Sequence, residues 1–100
     1  MEKLAPISPG EVLLADFIEP LGITQNRLAV AVGVPPRRIN EIVHGKRRIT
    51  ADTALRLGLY FRMDARFWMN LQTEYDMRVA TRELKDKIAP RIRVHEHDAA

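Results

Sequence analysis

The chain contains no cysteine in its 100 residues, which excludes disulfides, thiolate nucleophiles and zinc–thiolate sites. Aromatic residues are scarce, with one tryptophan, two tyrosines and three phenylalanines. No apolar run approaches the roughly 20 residues of a membrane-spanning helix. The opening stretch, Met1 to Glu11, lacks the long apolar core of a signal peptide, so a cytoplasmic protein without membrane contact is expected. Apolar and polar residues nowhere alternate with the period of two that a half-buried strand requires. There is no internal repeat and no low-complexity tract.

What is present suits a single small helical domain. Hydrophobic residues make up 46% of the chain, enough for a modest core, and a domain of this size gains from a second subunit because it buries a limited share of its own surface. The net charge of +3 and pI near 9.7 are only mildly basic. The informative feature is clustering, since five of the basic residues fall between Arg37 and Arg48.

That cluster lies in and just after the stretch QNRLAVAVGVPPRRINEIVH, from Gln25 to His44. Thr24 suits the cap of a first helix running from Gln25 to about Val32. Leu28, Ala29 and Val32 share one face at helical spacing, and Ala29 is small enough for a close helix crossing. Gly33 is the residue for a left-handed helix end, and Val34 points back to the core. Pro35 and Pro36 suit the start of a second helix, reaching about His44. Ile39, Ile42 and Val43 face inward, leaving Arg37, Arg38, Asn40, Glu41 and His44 outside. The pattern is that of a helix-turn-helix. Arginine recognises guanine edges and phosphates, and an amide such as Asn40 recognises adenine. The turn that follows, Gly45, Lys46, Arg47 and Arg48, is placed to hold phosphates. His44 favours the helix C-terminus as a cation and can reach a phosphate.

On the N-terminal side, residues 1–8 are expected to be extended, because Pro6 and Pro9 disfavour helix before them. Leu4 and Ile7 are apolar and suit either this domain's core or a partner. Ser8, Pro9 and Glu11 mark a helix start, and Val12, Leu13, Leu14, Phe17 and Ile18 supply its apolar face up to the break at Glu19-Pro20-Leu21-Gly22. On the C-terminal side, Thr50 and Asp52 open a fourth helix whose face carries Ala54, Leu57, Gly58 and Phe61. Asp64 is the next cap, and a last helix continues to about Ala89, where Pro90 stops it. At 1.5 Å per residue that helix is about 37 Å long, too long to lie wholly on so small a bundle. Phe67, Trp68, Leu71, Tyr75 and Val79 stripe its first half, and Trp68 is expected to anchor it. The leftover stripe assigns Leu71, Tyr75 and Val79, with Asp76 nearby, to a dimer contact. Asn70 and Gln72 are either surface polar residues or caps of neighbouring loops. His95, Glu96 and His97 sit in a tail over 90–100 expected to fray; a metal site needs three or four fixed ligands, so no metal or cofactor is expected. The expected organisation is an N-terminal segment at 1–8, a helix-turn-helix bundle at 9–63, a long helix at 64–89 and a tail.

Several segments together resemble the HigA-type antitoxins, within the lambda-repressor-like, Xre-type DNA-binding proteins. They are Pro9-Gly10-Glu11, Glu19 to Gln25, Leu28-Ala29, Gly33-Val34, Gly45-Lys46-Arg47, Ile49-Thr50-Ala51 and Thr53 to Leu57. The most specific is Phe67-Trp68-Asn70-Leu71-Gln72 with Tyr75-Asp76, which Xre proteins in general do not share. The resemblance implies an all-α, five-helix bundle and a non-enzymatic antitoxin that silences a small RelE-like (HigB-like) mRNA-cleaving toxin. It also implies repression of its own operon, as a homodimer on double-stranded operator DNA. It places Gln25 at a phosphate, sets Pro36, Arg37, Asn40 and Glu41 toward the major groove, and angles Arg38 to the DNA backbone. One departure is Phe61-Arg62-Met63, where many relatives have glycine after the fourth helix. An Xre-type repressor without a toxin partner is the alternative. A ribonuclease toxin would need a sheet and an acid–base cluster that this sequence lacks.

Overall fold

The computed structural model describes residues 5–96, and all regular structure among them is helical. α1 (Pro9–Val12) opens with a reciprocal cap. The Ser8 hydroxyl accepts the Glu11 N–H at 3.3 Å, and the Glu11 carboxylate accepts the Ser8 N–H at 2.8 Å. Two otherwise orphaned donors are satisfied together. Ile7, just before this cap, is 70% exposed and does not cover the domain's own core; Leu4 lies outside the described residues.

The first helix departs from the sequence expectation in its second half. Over Leu13–Ile18 the backbone is π-helical, with the Glu19 N–H donating to Leu14 O at 2.9 Å and the Ile23 N–H to Ile18 O at 3.2 Å. The physical reason is burial. Leu13 and Ile18, five residues apart, are both in the core, and the i→i+5 register of a π-turn brings such a pair closer to one face than an α-helix does.

α2 (Gln25–Val32) is capped by Thr24, whose Oγ1 accepts the Arg27 N–H at 3.0 Å. It ends at Gly33, which takes φ 75° and ψ 35°, the left-handed conformation that costs a side-chain-bearing residue about 1–2 kcal/mol. α3 (Pro36–Val43) starts on its proline and buries Ile39, Ile42 and Val43. α4 (Ala51–Phe61) is capped by Thr50 and ends at Arg62, which occupies the left-handed region at φ 56°. The departure noted in the sequence is thus accommodated without glycine: Arg62 adopts the helix-ending conformation itself.

α5 (Arg66–Ile88) begins where the Asp64 carboxylate accepts the Arg66 N–H at 2.8 Å, and it passes into a short 3₁₀ turn at Ala89–Arg91. Trp68 is fully buried. Its ring packs 4.9 Å from Phe17 and 5.1 Å, edge-on, from Phe67, and Phe61 closes the cluster 4.9 Å from Phe17. The aromatic side chains therefore join α5, α4 and the π-segment. From residue 81 onward every described residue is exposed, so the distal part of α5 projects from the bundle. Among the described residues, no helix is long and apolar enough to cross a membrane.

Helix α3 is held against α1 by a very close approach. A Cβ on Gly10 would lie 1.8 Å from Ile42 O and 2.6 Å from its carbonyl carbon. Only glycine fits there, so the orientation of α3 is coupled to the first turn of the fold.

Candidate nucleic-acid interface

With Ile39, Ile42 and Val43 facing the core, the polar residues of α3 form one continuous outer surface with the start of α2 and the turn after α3. Asn40 Nδ2 donates to Gln25 Oε1 at 3.3 Å, tying the two helices across their outer edge. His44 Nδ1 lies 2.8 Å from Asn40 O; a carbonyl only accepts, so Nδ1 carries the proton in this arrangement. Glu41 sits between two arginines, its Oε2 3.5 Å from Arg37 Nε and its Oε1 3.1 Å from Arg47 Nε. The Arg37 side chain is 86% exposed, whereas that of Glu41 is 24% exposed. The acid is recessed and the arginine stands proud of it. Lys46 is exposed and has no ion-pair partner among the described residues. Pro36 is exposed at the first turn of α3.

Two of the sequence-selected arginines turn aside. Arg38 reaches Asp52 on α4 at 3.9 Å. Arg48 pairs with Asp76 on α5 at 2.9 Å. Asp52 also accepts from Arg56 Nε at 2.8 Å. The Arg56 hydrogen bond, together with the charges of Arg56 and Arg38, holds the Asp52 carboxyl below the usual carboxylate range. Arg56 also braces the turn, because its Nη1 donates to Val32 O at 2.7 Å and to Gly33 O at 3.4 Å. It satisfies carbonyls left over at the end of α2, so α4 holds the turn of the helix-turn-helix in place.

Sequence reasoning missed these supports. Glu41 carried no signal of bridging two arginines beyond its i,i+4 spacing from Arg37. Of the two readings open for Gln72, the loop cap holds and the surface one does not: the side chain is buried, its Oε1 accepts the Ile49 N–H at 2.7 Å and its Nε2 donates to Asp76 Oδ1 at 2.8 Å. Asn70 is exposed. Leu71, Tyr75 and Val79 are half-buried, with Leu71 packing on the core of its own chain. Among the described residues no group of three or more His, Asp or Glu side chains is arranged to hold a metal ion; His97 lies outside them.

Chemically, the surface offers exposed guanidinium and ammonium groups, an amide and an imidazole on a convex helix, with one recessed carboxylate. That is an arrangement for entering a groove and meeting phosphates, and it contains no nucleophile–base pair. The geometry defines a helix-turn-helix unit, and comparison with known proteins agrees. The helix-turn-helix family profile matches residues 14–68. The virulence-associated protein I of Dichelobacter nodosus is 48% identical over 81 residues, covering 81% of this chain and 75% of that protein. The antitoxin HigA-1 of Vibrio cholerae is 36% identical over 75 residues, covering 75% of this chain and 70% of that one. Among solved structures, the Pseudomonas aeruginosa antitoxin HigA with the higBA promoter is similar at a TM-score of 0.84 and 42% identity, over 88% of this chain and 96% of that one. The chain belongs to the Xre-type helix-turn-helix family and, within it, to the HigA-type antitoxins.

Proposed function

We propose that the protein is the antitoxin of a type II toxin–antitoxin pair, that it binds operator DNA as a homodimer to repress its own operon, and that it neutralises a small RelE-like toxin. The observation that carries the DNA half is the outer surface of α3 and its basic turn, where Arg37, Asn40, His44, Lys46 and Arg47 are exposed together. The Pseudomonas relative with a promoter in its solved structure supports the same reading. Arg37 and Asn40 enter the major groove, with Pro36 and Glu41 lining the approach. Gln25, His44, Lys46 and Arg47 meet phosphates. Arg38 and Arg48 stay in reserve on their acidic partners. Two α3 helices of a dimer would lie about 34 Å apart, one turn of DNA. The half-buried stripe of Leu71, Tyr75 and Val79 on α5 is the proposed contact between copies.

Arg37→Ala is expected to weaken operator binding by about 1–3 kcal/mol and to relax discrimination at one base position. An equal loss on operator and random duplex, measured by titration, would reassign Arg37 to a phosphate. Lys46→Ala is expected to weaken all duplexes alike and to lower the slope of log affinity against log salt by about one unit.

The toxin half is tested by co-expressing the chain with the product of any small neighbouring reading frame. A stable complex that restores growth supports the antitoxin role. Repression of the operon without any such complex would make the protein a repressor acting alone.

A further inference from the structure

The segment that sets this sequence apart from general Xre proteins, Phe67 to Asp76, is only partly absorbed by the core. Trp68 anchors α5 and explains the aromatic positions. Gln72 and Asp76, one turn apart on the same helix, act on the basic turn instead. Gln72 is 3% exposed, and its amide is oriented by two bonds. The oxygen takes the backbone N–H of Ile49, immediately after the basic turn, and the nitrogen donates to Asp76. The other Asp76 oxygen lies 2.9 Å from Arg48 Nη2. A closed path therefore runs from the turn through α5 and back: Ile49, Gln72, Asp76, Arg48. Three consecutive basic residues end in three different states. Lys46 is exposed with no ion-pair partner among the described residues, Arg47 is paired to Glu41 on α3, and Arg48 is paired to Asp76 on α5.

Resting on the DNA-binding reading above, we propose that Asp76 is a positioning residue that withholds Arg48 from the phosphate backbone, with Gln72 fixing both Asp76 and the turn, so that α5 sets the strength of DNA binding. The pair is partly solvent-exposed at both ends, and a surface ion pair of that kind is worth little. It is therefore weak enough for loss of the Asp76 charge alone to open it. An opened pair releases a guanidinium on a turn already directed at phosphate. The added contact is electrostatic, so it strengthens binding to any duplex and steepens its salt dependence.

A double-mutant cycle tests this, with anisotropy titrations of the full chain on its upstream duplex and on a scrambled duplex at two salt concentrations. Asp76→Asn keeps an acceptor for Gln72 Nε2 but removes the charge that holds Arg48. It is expected to tighten both duplexes about threefold and to steepen the salt slope by roughly 0.9. Arg48→Ala alone is expected to change little, and Asp76→Asn in the Arg48→Ala background is expected to gain nothing. If the gain persists without Arg48, the effect is general charge removal and the proposal fails. If Arg48→Ala alone weakens binding as much as Lys46→Ala does, Arg48 already sits on a phosphate and the proposal also fails. Circular dichroism melts of all three variants check that the fold is kept. A wild type that binds neither duplex overturns the DNA-binding reading itself, and this inference with it.

Discussion

Trp68→Ala is expected to destabilise the fold by about 3–5 kcal/mol, the range for deleting a large buried aromatic side chain. Small domains hold only about 5–15 kcal/mol in total, so the variant would sit near or below the threshold for folding at physiological temperature. The size of the effect follows from what the ring joins. It is the fully buried residue at which α5 meets Phe17 of the π-segment and Phe67 of its own helix, and its loss leaves a cavity that the surrounding elements must collapse to fill. Its indole N–H has no protein partner among the described residues, so Trp68→Phe removes packing volume and no protein hydrogen bond. The phenylalanine variant is therefore expected to fall well short of the alanine loss. Urea titration followed by circular dichroism measures both, since removing the only tryptophan also removes the fluorescence signal. A loss below about 1 kcal/mol for Trp68→Ala, the scale of a surface substitution, would mean that α5 is not seated on the bundle as described.

Gly10→Ala sets two effects of opposite sign against each other. Alanine is the better helix former, by about 0.5–1 kcal/mol over glycine. The added Cβ, however, would lie 1.8 Å from Ile42 O, and that obstacle is backbone that cannot swing aside. Forcing helices apart in a packed core costs about 1–3 kcal/mol and at times more, so a net destabilisation is expected. The variant is also expected to lose operator affinity, because the helix pushed away is α3, and every proposed base contact lies on it. Thermal melts and DNA titration report the two consequences separately. A more stable Gly10→Ala protein would contradict the close approach of α1 to α3.

These two sites also mark the boundary of what the sequence made legible. Local chemistry was readable. Thr24 and Thr50 cap the helices they precede, Gly33 takes the left-handed position, and Pro90 follows the end of α5, because each of those outcomes is decided by one residue and its immediate neighbours. Trp68 was readable as an anchor because its size and helical spacing leave it no comfortable place in solvent. The π-register over Leu13–Ile18 was not readable, since the apolar spacing there fits an α-helix as well, and the choice is made by packing of Leu13 and Ile18 into a core built from later residues. For Gln72 the sequence left two readings, a surface residue or the cap of a neighbouring loop; the second holds, but which loop it caps was not readable because its partner, the Ile49 N–H, lies 23 residues away. Gly10 stood in a helix-start signal in the sequence, yet its function is a contact with Ile42 that only the tertiary arrangement reveals. At the candidate interface the outward set on α3 was predictable from its apolar complement. The diversion of Arg38 to Asp52 and of Arg48 to Asp76 depended on acids supplied by α4 and α5.

Recognition of a particular duplex by α3 and its basic turn is tested most directly by fluorescence anisotropy of the protein on its own upstream DNA, against a scrambled duplex of equal length, at two salt concentrations. Tight binding to the native duplex is predicted, with weak binding to the scrambled one and a preference that survives the higher salt. Equal, weak binding to both duplexes that disappears as salt is raised would contradict it, because the basic cluster would then be acting as unspecific charge.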